Sequence, residues 1–236
     1  MLNIICLDFW NTMYENIPQN PKRTYIYNLI YNSFNKKIST NKIISLLNEF
    51  DKSSNNIQYS NFDRLSYIEE KCQVYLTNNE KSKLDLDISN SIIKFPPILN
   101  QYVTDFLVFC QKNFFKIILI SDTNYSYGCS IRQILKADNI FNCFDYLIFS
   151  DETKVRKPNN EIFEKVCKKY NCTPKNCLFI GDSEKKDING PKTYGFYTAK
   201  KCTFENIKID SNADIKFTCF SDLIKEFIEG GIFYGK

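Results

Sequence analysis

Short apolar runs alternate with longer amphipathic segments along most of the chain. Short runs without polar alternation are typical of strands that are buried on both faces of a sheet. Such runs occur at residues 2–7, 115–120, 144–149, 178–180, 196–199 and 215–219. Helical patterns with one apolar face separate the later runs, at residues 126–136 and 160–170. This alternation predicts an α/β fold in which helices cover both faces of a parallel sheet.

The strand pattern stops after residue 14, and helical patterns replace it as far as residue 97. The first begins at residue 39 or 40, the second follows a predicted N-terminal cap at Asn61, and the third covers residues 80–94. Two prolines end the third pattern, and residues 98–112 resume with an apolar face that suits packing on the sheet.

The interruption predicts a small α-helical domain, residues 16–97, inserted into a core of residues 1–15 and 98–236. At 236 residues the chain is long enough to bury a core of full size. Hydrophobic residues at 43% and charged residues at 25% are ordinary values for a globular protein, so a disordered chain is not predicted.

Charge and cysteine content narrow the possible partners. A net charge of +4 from 31 basic and 27 acidic residues makes no strong field, so no nucleic-acid partner is predicted. No apolar run approaches the roughly 20 residues of a membrane span, and no membrane partner is predicted. Ten cysteines without a basic leader indicate reduced thiols, so we expect a cytoplasmic protein. We also expect a monomer or a homodimer. Cys167, Cys172 and Cys177 form no CxxC pair and histidine is absent, which gives a structural zinc site little support.

Three of the predicted strands end in a polar residue that is able to handle a phosphate group or a metal ion, namely Asp8, Ser121 and Asp182. Neighbouring strands of an open parallel sheet share one carboxyl edge, and ligands bind there. Taken singly, each residue is also a common loop or cap residue where a strand turns into a helix. Together they predict one polar site, to which Lys157 adds a cation.

The sequence around these residues resembles the four motifs of the haloacid dehalogenase superfamily. Those motifs are an aspartate in a DxDxT-like turn, a Ser or Thr that ends a second strand, a lysine, and an acidic GDxxxxD-like pair. Here they read DFWNT, ISDTN, RKP and GDSEKKD, in the expected order. The resemblance implies a Rossmann-like core, and the helical insertion has the position of the cap domain found in one branch of the superfamily.

The resemblance implies a phosphatase mechanism centred on Asp8. Asp8 would be the nucleophile that attacks phosphorus and forms an aspartyl phosphate. Because the nucleophile and the phosphoryl oxygens are both anionic, Mg²⁺ would bind between them. Its ligands would be Asp8, the backbone carbonyl of Trp10, and Asp182. The expected substrate is a small phosphorylated metabolite.

Other residues have supporting roles by the same resemblance. Lys157 would neutralise the developing charge, while the Ser121 hydroxyl and the backbone amide of Asp122 would donate hydrogen bonds to the transferring phosphoryl group. Asp187 would orient Lys157 or a metal-bound water. Asp122 and Asn124 are also candidate caps for the helix that follows them.

Trp10 stands where most phosphatases of this superfamily carry a second aspartate, which protonates the leaving oxygen and later activates water. An indole does neither, although general acid–base catalysis contributes about 10²- to 10⁴-fold in rate. We favour a phosphohydrolase with a good leaving group or with an acid from the insertion, where Asp63, Glu69 and Glu70 are candidates. The alternatives are a non-catalytic phosphate-binding relative and a dehalogenase-type hydrolase. The dehalogenases have an aromatic residue at this position and lack the acid that Asp182 supplies.

Overall fold

The computed structural model describes residues 2–15, 17, 21–53 and 57–229. Its strands are β1 (Ile4–Leu7), β2 (Tyr14–Glu15), β3 (Ile98–Leu99), β4 (Lys116–Ser121), β5 (Tyr146–Phe149), β6 (Cys177–Gly181), β7 (Tyr197–Lys201) and β8 (Ile215–Phe217). Its α-helices are α1 (Lys22–Ser33), α2 (Thr40–Ser53), α3 (Asn61–Cys72), α4 (Asn78–Lys94), α5 (Val103–Lys112), α6 (Gly128–Ala137), α7 (Ser150–Thr153), α8 (Asn160–Tyr170), α9 (Gly190–Tyr194) and α10 (Phe220–Ile228). Single 3₁₀ turns cover Phe141–Cys143 and Pro174–Asn176, and a π-helical turn covers Glu184–Asn189.

The central sheet consists of six parallel strands in the order β5-β4-β1-β6-β7-β8. Each of the six apolar runs in the sequence overlaps one of these strands, so the predicted α/β fold is confirmed. β1 lies between β4 and β6, with Ile5 paired to Ile117 on one side and to Leu178 on the other. The strand order reverses at β1, which makes the carboxyl end of β1 a switch point for ligand binding.

The two faces of the sheet bury separate apolar clusters, because successive side chains of a strand point to opposite faces. In β1, Ile5 and Leu7 belong to one cluster, whereas Ile4 and Cys6 belong to the other. Helices α5, α6 and α10 cover the first cluster, and α8 covers the second. Helices on both faces therefore explain why the strand sequences are continuously apolar.

Helices α1 to α4 form a helical segment with an apolar cluster of its own. The sequence predicted three helices here, which was wrong by one. The pattern of α1 is weak because its fully buried residues are Ile26 and Ile30 alone, and no side chain caps its N-terminus at Pro21. β2 pairs antiparallel with β3 where the helical segment leaves and rejoins the sheet-bearing part of the chain. The division into two domains stays a prediction.

Capping decides where the helices of this segment begin. α3 is capped by Ser60 and not by the predicted Asn61, because the backbone and side chain of Ser60 form a reciprocal capping box with Asp63. α4 begins at Asn78 after an equivalent box made by Thr77. The helix predicted from residue 98 begins instead at Val103, since its first residues pair in β3. None of the described helices has the length and apolar character needed to cross a membrane.

Candidate active site

Asp8 directly follows β1 and lines a cavity of about 210 Å³ at the carboxyl edge of the sheet. Its backbone N–H donates to the carbonyl of Ile180 in β6 at 2.9 Å, which extends the ladder beyond the end of β1. The chain then turns tightly, because the N–H groups of Met13 and Tyr14 both donate to the carbonyl of Phe9, at 3.1 and 2.9 Å. Asp8 is 6% exposed, so it is nearly buried although it lines the cavity.

Lys157 is a buried cation in contact with two of the acids. Its Nζ lies 2.6 Å from Oδ1 of Asp8 and 2.7 Å from Oδ1 of Asp187, and the residue is 2% exposed. Its backbone N–H donates to Oδ1 of Asp122 at 3.0 Å, which fixes the loop that carries it. Burial acts to lower the pKa of Lys157, but Asp187, Asp8 and Asp122 outweigh burial and raise it. The ammonium group therefore stays charged.

Asp182 and Asp187 are positioned by the end of β6 and by the π-helical turn that follows it. The N–H of Asp187 donates to the carbonyl of Ser183 at 2.8 Å, and the N–H of Ser183 donates back to Oδ2 of Asp187 at 3.0 Å. Gly181 makes room for this arrangement, since a Cβ at that position would lie 2.3 Å from Cβ of Asp187. The glycine and the wide turn together explain the spacing of the GDSEKKD stretch.

The acids carry more charge than the neighbouring cations neutralise. Asp8, Asp182 and Asp187 each place a carboxylate oxygen within 4.8 Å of the others. Among the charged residues that line the cavity, four acids outnumber three cations, which leaves one negative charge in excess; the acids are Asp8, Asp122, Asp182 and Asp187, and the cations are Arg156, Lys157 and Lys186. Oδ2 of Asp8 accepts a long hydrogen bond from Oγ1 of Thr12 at 3.4 Å, so it is weakly engaged. An oxygen donor set with this excess charge fits Mg²⁺.

Burial and the neighbouring charges change the pKa values of two of these acids. The pKa of Asp8 is raised to about 7, chiefly by burial; Lys157 acts to lower it, and Asp187 acts to raise it. Burial, followed by the charge of Asp187, also raises the pKa of Asp182. A cation placed among these carboxylates would favour their ionised forms.

Ser121 ends β4 and is almost completely buried. Its Oγ has no hydrogen-bond partner in the described part of the chain. A buried hydroxyl without a partner is rare in folded proteins. Ser121 itself does not belong to the described lining of the cavity, although the next residue, Asp122, does. Because Leu119 pairs with Leu7, Ser121 lies beside the loop that begins at Asp8.

Two cations that the sequence analysis did not single out also line the cavity, Arg156 and Lys186. Oδ2 of Asp122 forms ion pairs with Nζ of Lys186 at 3.0 Å and with Nε of Arg156 at 3.6 Å. Burial acts to raise the pKa of Asp122, but Lys157, Lys186 and Arg156 lower it overall. Both cations lie within or beside the quoted motifs RKP and GDSEKKD, and that position was the available signal.

Trp10 lines the same cavity and is half-buried. Its ring packs edge-on against Phe9 with the ring centroids 4.8 Å apart. Nζ of Lys22 in α1 lies 4.8 Å from the centre of the indole. The indole therefore lies between the loop that carries Asp8 and the first helix of the helical segment.

None of the three acids suggested as replacements for the missing aspartate belongs to the described lining of this cavity. Glu69 is buried and forms an ion pair with Lys81. Asp63 is engaged with Ser60 in the capping box, and Glu70 is exposed to solvent. These contacts disfavour an acid supplied by α3.

Comparison with solved structures shows the same fold over nearly the whole chain. A 2-haloacid dehalogenase from Pseudomonas syringae pv. Tomato DC3000 matches with a TM-score of 0.70 and 12% identity, over 97% of this chain and 99% of that one. A HAD phosphatase from Thermococcus onnurineus matches with a TM-score of 0.67 and 16% identity, over 98% and 99%. A HAD-hydrolase from Bacillus subtilis, solved bound to magnesium, matches with a TM-score of 0.64 and 15% identity, over 95% and 98%.

Comparison of sequences identifies the family. A glyceraldehyde 3-phosphate phosphatase from Pyrococcus furiosus is 36% identical over 55 residues, which is 23% of this chain and 23% of that protein. The aligned stretch thus spans less than a third of the length of this curated relative. The family model described as haloacid dehalogenase-like hydrolase matches residues 2–195, which is most of the chain. With this match, and with the fold and the clustered motifs already described, the chain belongs to the haloacid dehalogenase-like hydrolases.

Proposed function

We propose that this hydrolase is a Mg²⁺-dependent phosphohydrolase that cleaves a small phosphorylated metabolite through an aspartyl phosphate on Asp8. One observation carries the proposal: Asp8 is buried against Lys157 within a group of three carboxylates. This arrangement supplies a fixed nucleophile, a fixed cation and an excess of negative charge. Perturbed acids gathered in one cavity are typical of catalytic sites.

The oxygen donors at the cavity support Mg²⁺ as the cofactor. Asp8, Asp182 and the backbone carbonyl of Trp10 would hold the ion, while Asp187 would orient Lys157 or a water on the ion. Bound there, Mg²⁺ would offset the repulsion between the carboxylate of Asp8 and the phosphoryl oxygens. A magnesium-bound neighbour with the same fold is consistent with this choice.

The contacts of Asp8 suggest which of its two carboxylate oxygens attacks phosphorus. Oδ1 is held by Lys157 at 2.6 Å, which leaves Oδ2 as the attacking oxygen. Attack forms a bond from Oδ2 to phosphorus and breaks the bond from phosphorus to the leaving oxygen. Lys157 offsets the negative charge that develops, and the unpartnered hydroxyl of Ser121 and the amide of Asp122 donate to phosphoryl oxygens. Water then hydrolyses the acyl phosphate and restores Asp8.

Trp10 restricts which substrates this chemistry serves. The indole has an N–H donor but no group that titrates near neutral pH, so it delivers no proton to the leaving oxygen. Aryl and acyl phosphates leave without much protonation, whereas alkyl phosphates expel an alkoxide unless an acid assists. We therefore propose an enzyme that favours good leaving groups and that is slow with others.

A non-catalytic phosphate-binding protein is the second candidate, and the absence of an acid at Trp10 is the observation that favours it. Dehalogenase chemistry is the weaker alternative. Displacement of halide by a carboxylate needs no Mg²⁺, yet Asp182 is present beside Asp8 and adds to the excess negative charge.

Release of phosphate and halide over a matched panel of compounds tests these alternatives. The panel contains aryl, acyl and alkyl phosphates and 2-haloacids, each assayed with Mg²⁺ and with a chelator. Glyceraldehyde 3-phosphate belongs among the alkyl phosphates, because the archaeal relatives are named for it. We expect phosphate release from aryl and acyl phosphates that requires Mg²⁺. Phosphate binding without release would favour the binding protein, and halide release without Mg²⁺ would favour the dehalogenase.

A further inference from the structure

A second group of metal-ligating side chains lies at the opposite end of the sheet from Asp8. Cys167 is in the last turn of α8, Cys172 is in the turn that follows, and Cys177 is the first residue of β6. Their three sulfur atoms all lie within 4.8 Å of one another, and those of Cys172 and Cys177 are 3.8 Å apart. The proposed chemistry at Asp8 uses none of them.

The backbone between these cysteines is fixed by hydrogen bonds. Asn171 ends α8 in the left-handed region with φ 47°, and the N–H of Cys172 donates to the carbonyl of Cys167 at 3.1 Å. The next residues form a capping box in which Thr173 bonds reciprocally with Asn176. A turn that is closed at both ends holds the sulfur atoms together without help from a disulfide, and all three cysteines are free thiols.

The sulfur separations suit a soft metal ion. A tetrahedral zinc ion with Zn–S bonds of about 2.3 Å has sulfur atoms about 3.8 Å apart along each edge. The separation of Cys172 and Cys177 has this value, and the other two pairs lie within 4.8 Å. We propose that Cys167, Cys172 and Cys177 bind a soft divalent cation of the zinc class through three thiolates. The half-buried Cys172 leaves the fourth position of the ion open towards solvent.

Two other roles are possible for these cysteines: apolar packing in the core, and disulfide exchange by a redox-active pair. Cys167 and Cys177 do pack in the apolar cluster on the α8 side of the sheet, as small apolar residues would. Burial raises the pKa of both thiols, which disfavours the free thiolate that disulfide exchange requires, whereas a bound cation displaces the thiol protons itself. Packing alone does not require a third sulfur at the partly exposed position 172. A thiophilic cation uses all three positions.

Titration of the reduced, full-length protein with Cd²⁺ tests the proposal, because thiolate-to-cadmium charge transfer gives an ultraviolet band that carboxylate ligands do not give. We expect the band to saturate at one equivalent of Cd²⁺, and Zn²⁺ to compete it away. Loss of a residue that only supports a metal ligand weakens metal binding about 10- to 100-fold. Cys172→Ser removes a ligand itself, so it should weaken Cd²⁺ binding by more than about tenfold. Cys143→Ser is the matched control, since Cys143 is also half-buried but lies outside the cluster.

Two results would overturn the assignment: no charge-transfer band in the parent, or a band of unchanged affinity in Cys172→Ser. Circular dichroism of each variant establishes that it is folded. Should Cys172→Ser fail to fold, the parent titration still decides on the presence of the band, and Cys172→Ala repeats the affinity comparison.

Discussion

Two groups of buried charges in this molecule differ in how they are balanced. At the carboxyl edge of the sheet, Lys157 faces three acids. In the helical segment, Lys81 pairs with Glu69, and the other oxygen of Glu69 accepts the N–H of Leu76 at 2.8 Å. Nζ of Lys81 also lies 3.2 Å from the hydroxyl of Ser66. The second group is neutral and its donors and acceptors are satisfied, whereas the first lies in a cavity whose lining has a negative charge in excess.

The comparison shows that burial of charge does not by itself identify a site. Removing one partner of a buried ion pair costs about 3 to 5 kcal/mol where the remaining charge is left without compensation. We expect the two groups to differ in how far Mg²⁺ stabilises them. A balanced pair gains nothing from Mg²⁺, while a group with an excess of carboxylates is stabilised by it.

The largest expected effect is the loss of turnover in Asp8→Asn. An amide does not serve as the nucleophile, so the rate with an aryl phosphate should fall on the order of 10⁴-fold or more. Because the substitution removes one of three crowded carboxylates, resistance to urea in the absence of Mg²⁺ should not decrease. In Glu69→Gln we expect the reverse pattern, with turnover maintained and stability reduced. Near-parent turnover in Asp8→Asn would rule out the mechanism.

The matched pair Lys157→Met and Lys81→Met should be the next most informative. Both leave buried acids without their cation, so both should lose about 3 kcal/mol of unfolding free energy in the absence of metal. Mg²⁺ should restore part of the loss in Lys157→Met and none of it in Lys81→Met, as measured by urea unfolding. Turnover should fall roughly 10³-fold in Lys157→Met and little in Lys81→Met. Equal responses of the two variants to Mg²⁺ would contradict the charge imbalance.

A smaller effect is expected at Trp10. Trp10→Asp should raise the rate with an alkyl phosphate by roughly 10²-fold and change the rate with an aryl phosphate much less, because only the alkyl substrate needs a proton. Trp10→Asn is the control, because asparagine has nearly the shape of aspartate but no group that titrates. It should show no selective gain in the rate with an alkyl phosphate. Melting temperatures must accompany the rates, since loss of a packed indole lowers stability. A parent that cleaves alkyl phosphates as fast as aryl phosphates would refute this role of Trp10.

The smallest expected effect is the dependence of Mg²⁺ stabilisation on pH. The pKa of Asp8 is about 7 in the folded chain and 3.8 in an unstructured one, so the folded state binds the extra proton between these values. The contribution of Asp8 to stability is therefore present at low pH and is lost as pH rises towards about 7. Mg²⁺ competes with this proton, so it should shift the urea midpoint more at about pH 8 than at about pH 5.5. Asp182→Asn should abolish most of the shift, and a shift that does not vary with pH would argue against Asp8 as a ligand.

Sequence reasoning predicted that Asp8, Ser121 and Asp182 converge, because parallel strands place their carboxyl ends at one edge. The structure brings Asp8 and Asp182 together and places Ser121 at the end of the neighbouring strand β4. Such convergence follows from strand order and needs no side-chain detail. Arg156 and Lys186 were missed although both lie within the quoted motifs, because a motif does not show which of its cations turn into the cavity and which face solvent. Their chemical roles, like those of the motif residues, stay predictions.

The cysteine cluster and the contacts of the helical segment were not predictable from the sequence, for local reasons. Cys167, Cys172 and Cys177 are each separated by four residues and form no CxxC pair. A left-handed turn at Asn171 brings their sulfur atoms together. The contacts between the helical segment and the loop before α6 are likewise non-local. For example, the hydroxyl of Tyr127 accepts the N–H of Asn61 at 2.6 Å. Such pairings depend on tertiary docking, which periodicity does not encode.

The position of Trp10 has a spectroscopic consequence. The chain contains a single tryptophan, so its intrinsic emission reports on one place, where the Asp8 loop meets α1. Lys22 over the ring and Phe9 against its edge set the local field that determines the emission wavelength. A ligand that enters the cavity, or a small displacement of α1, will alter this field while the fold stays intact. Binding and helix movement can therefore be followed by fluorescence in the unlabelled protein, separately from unfolding.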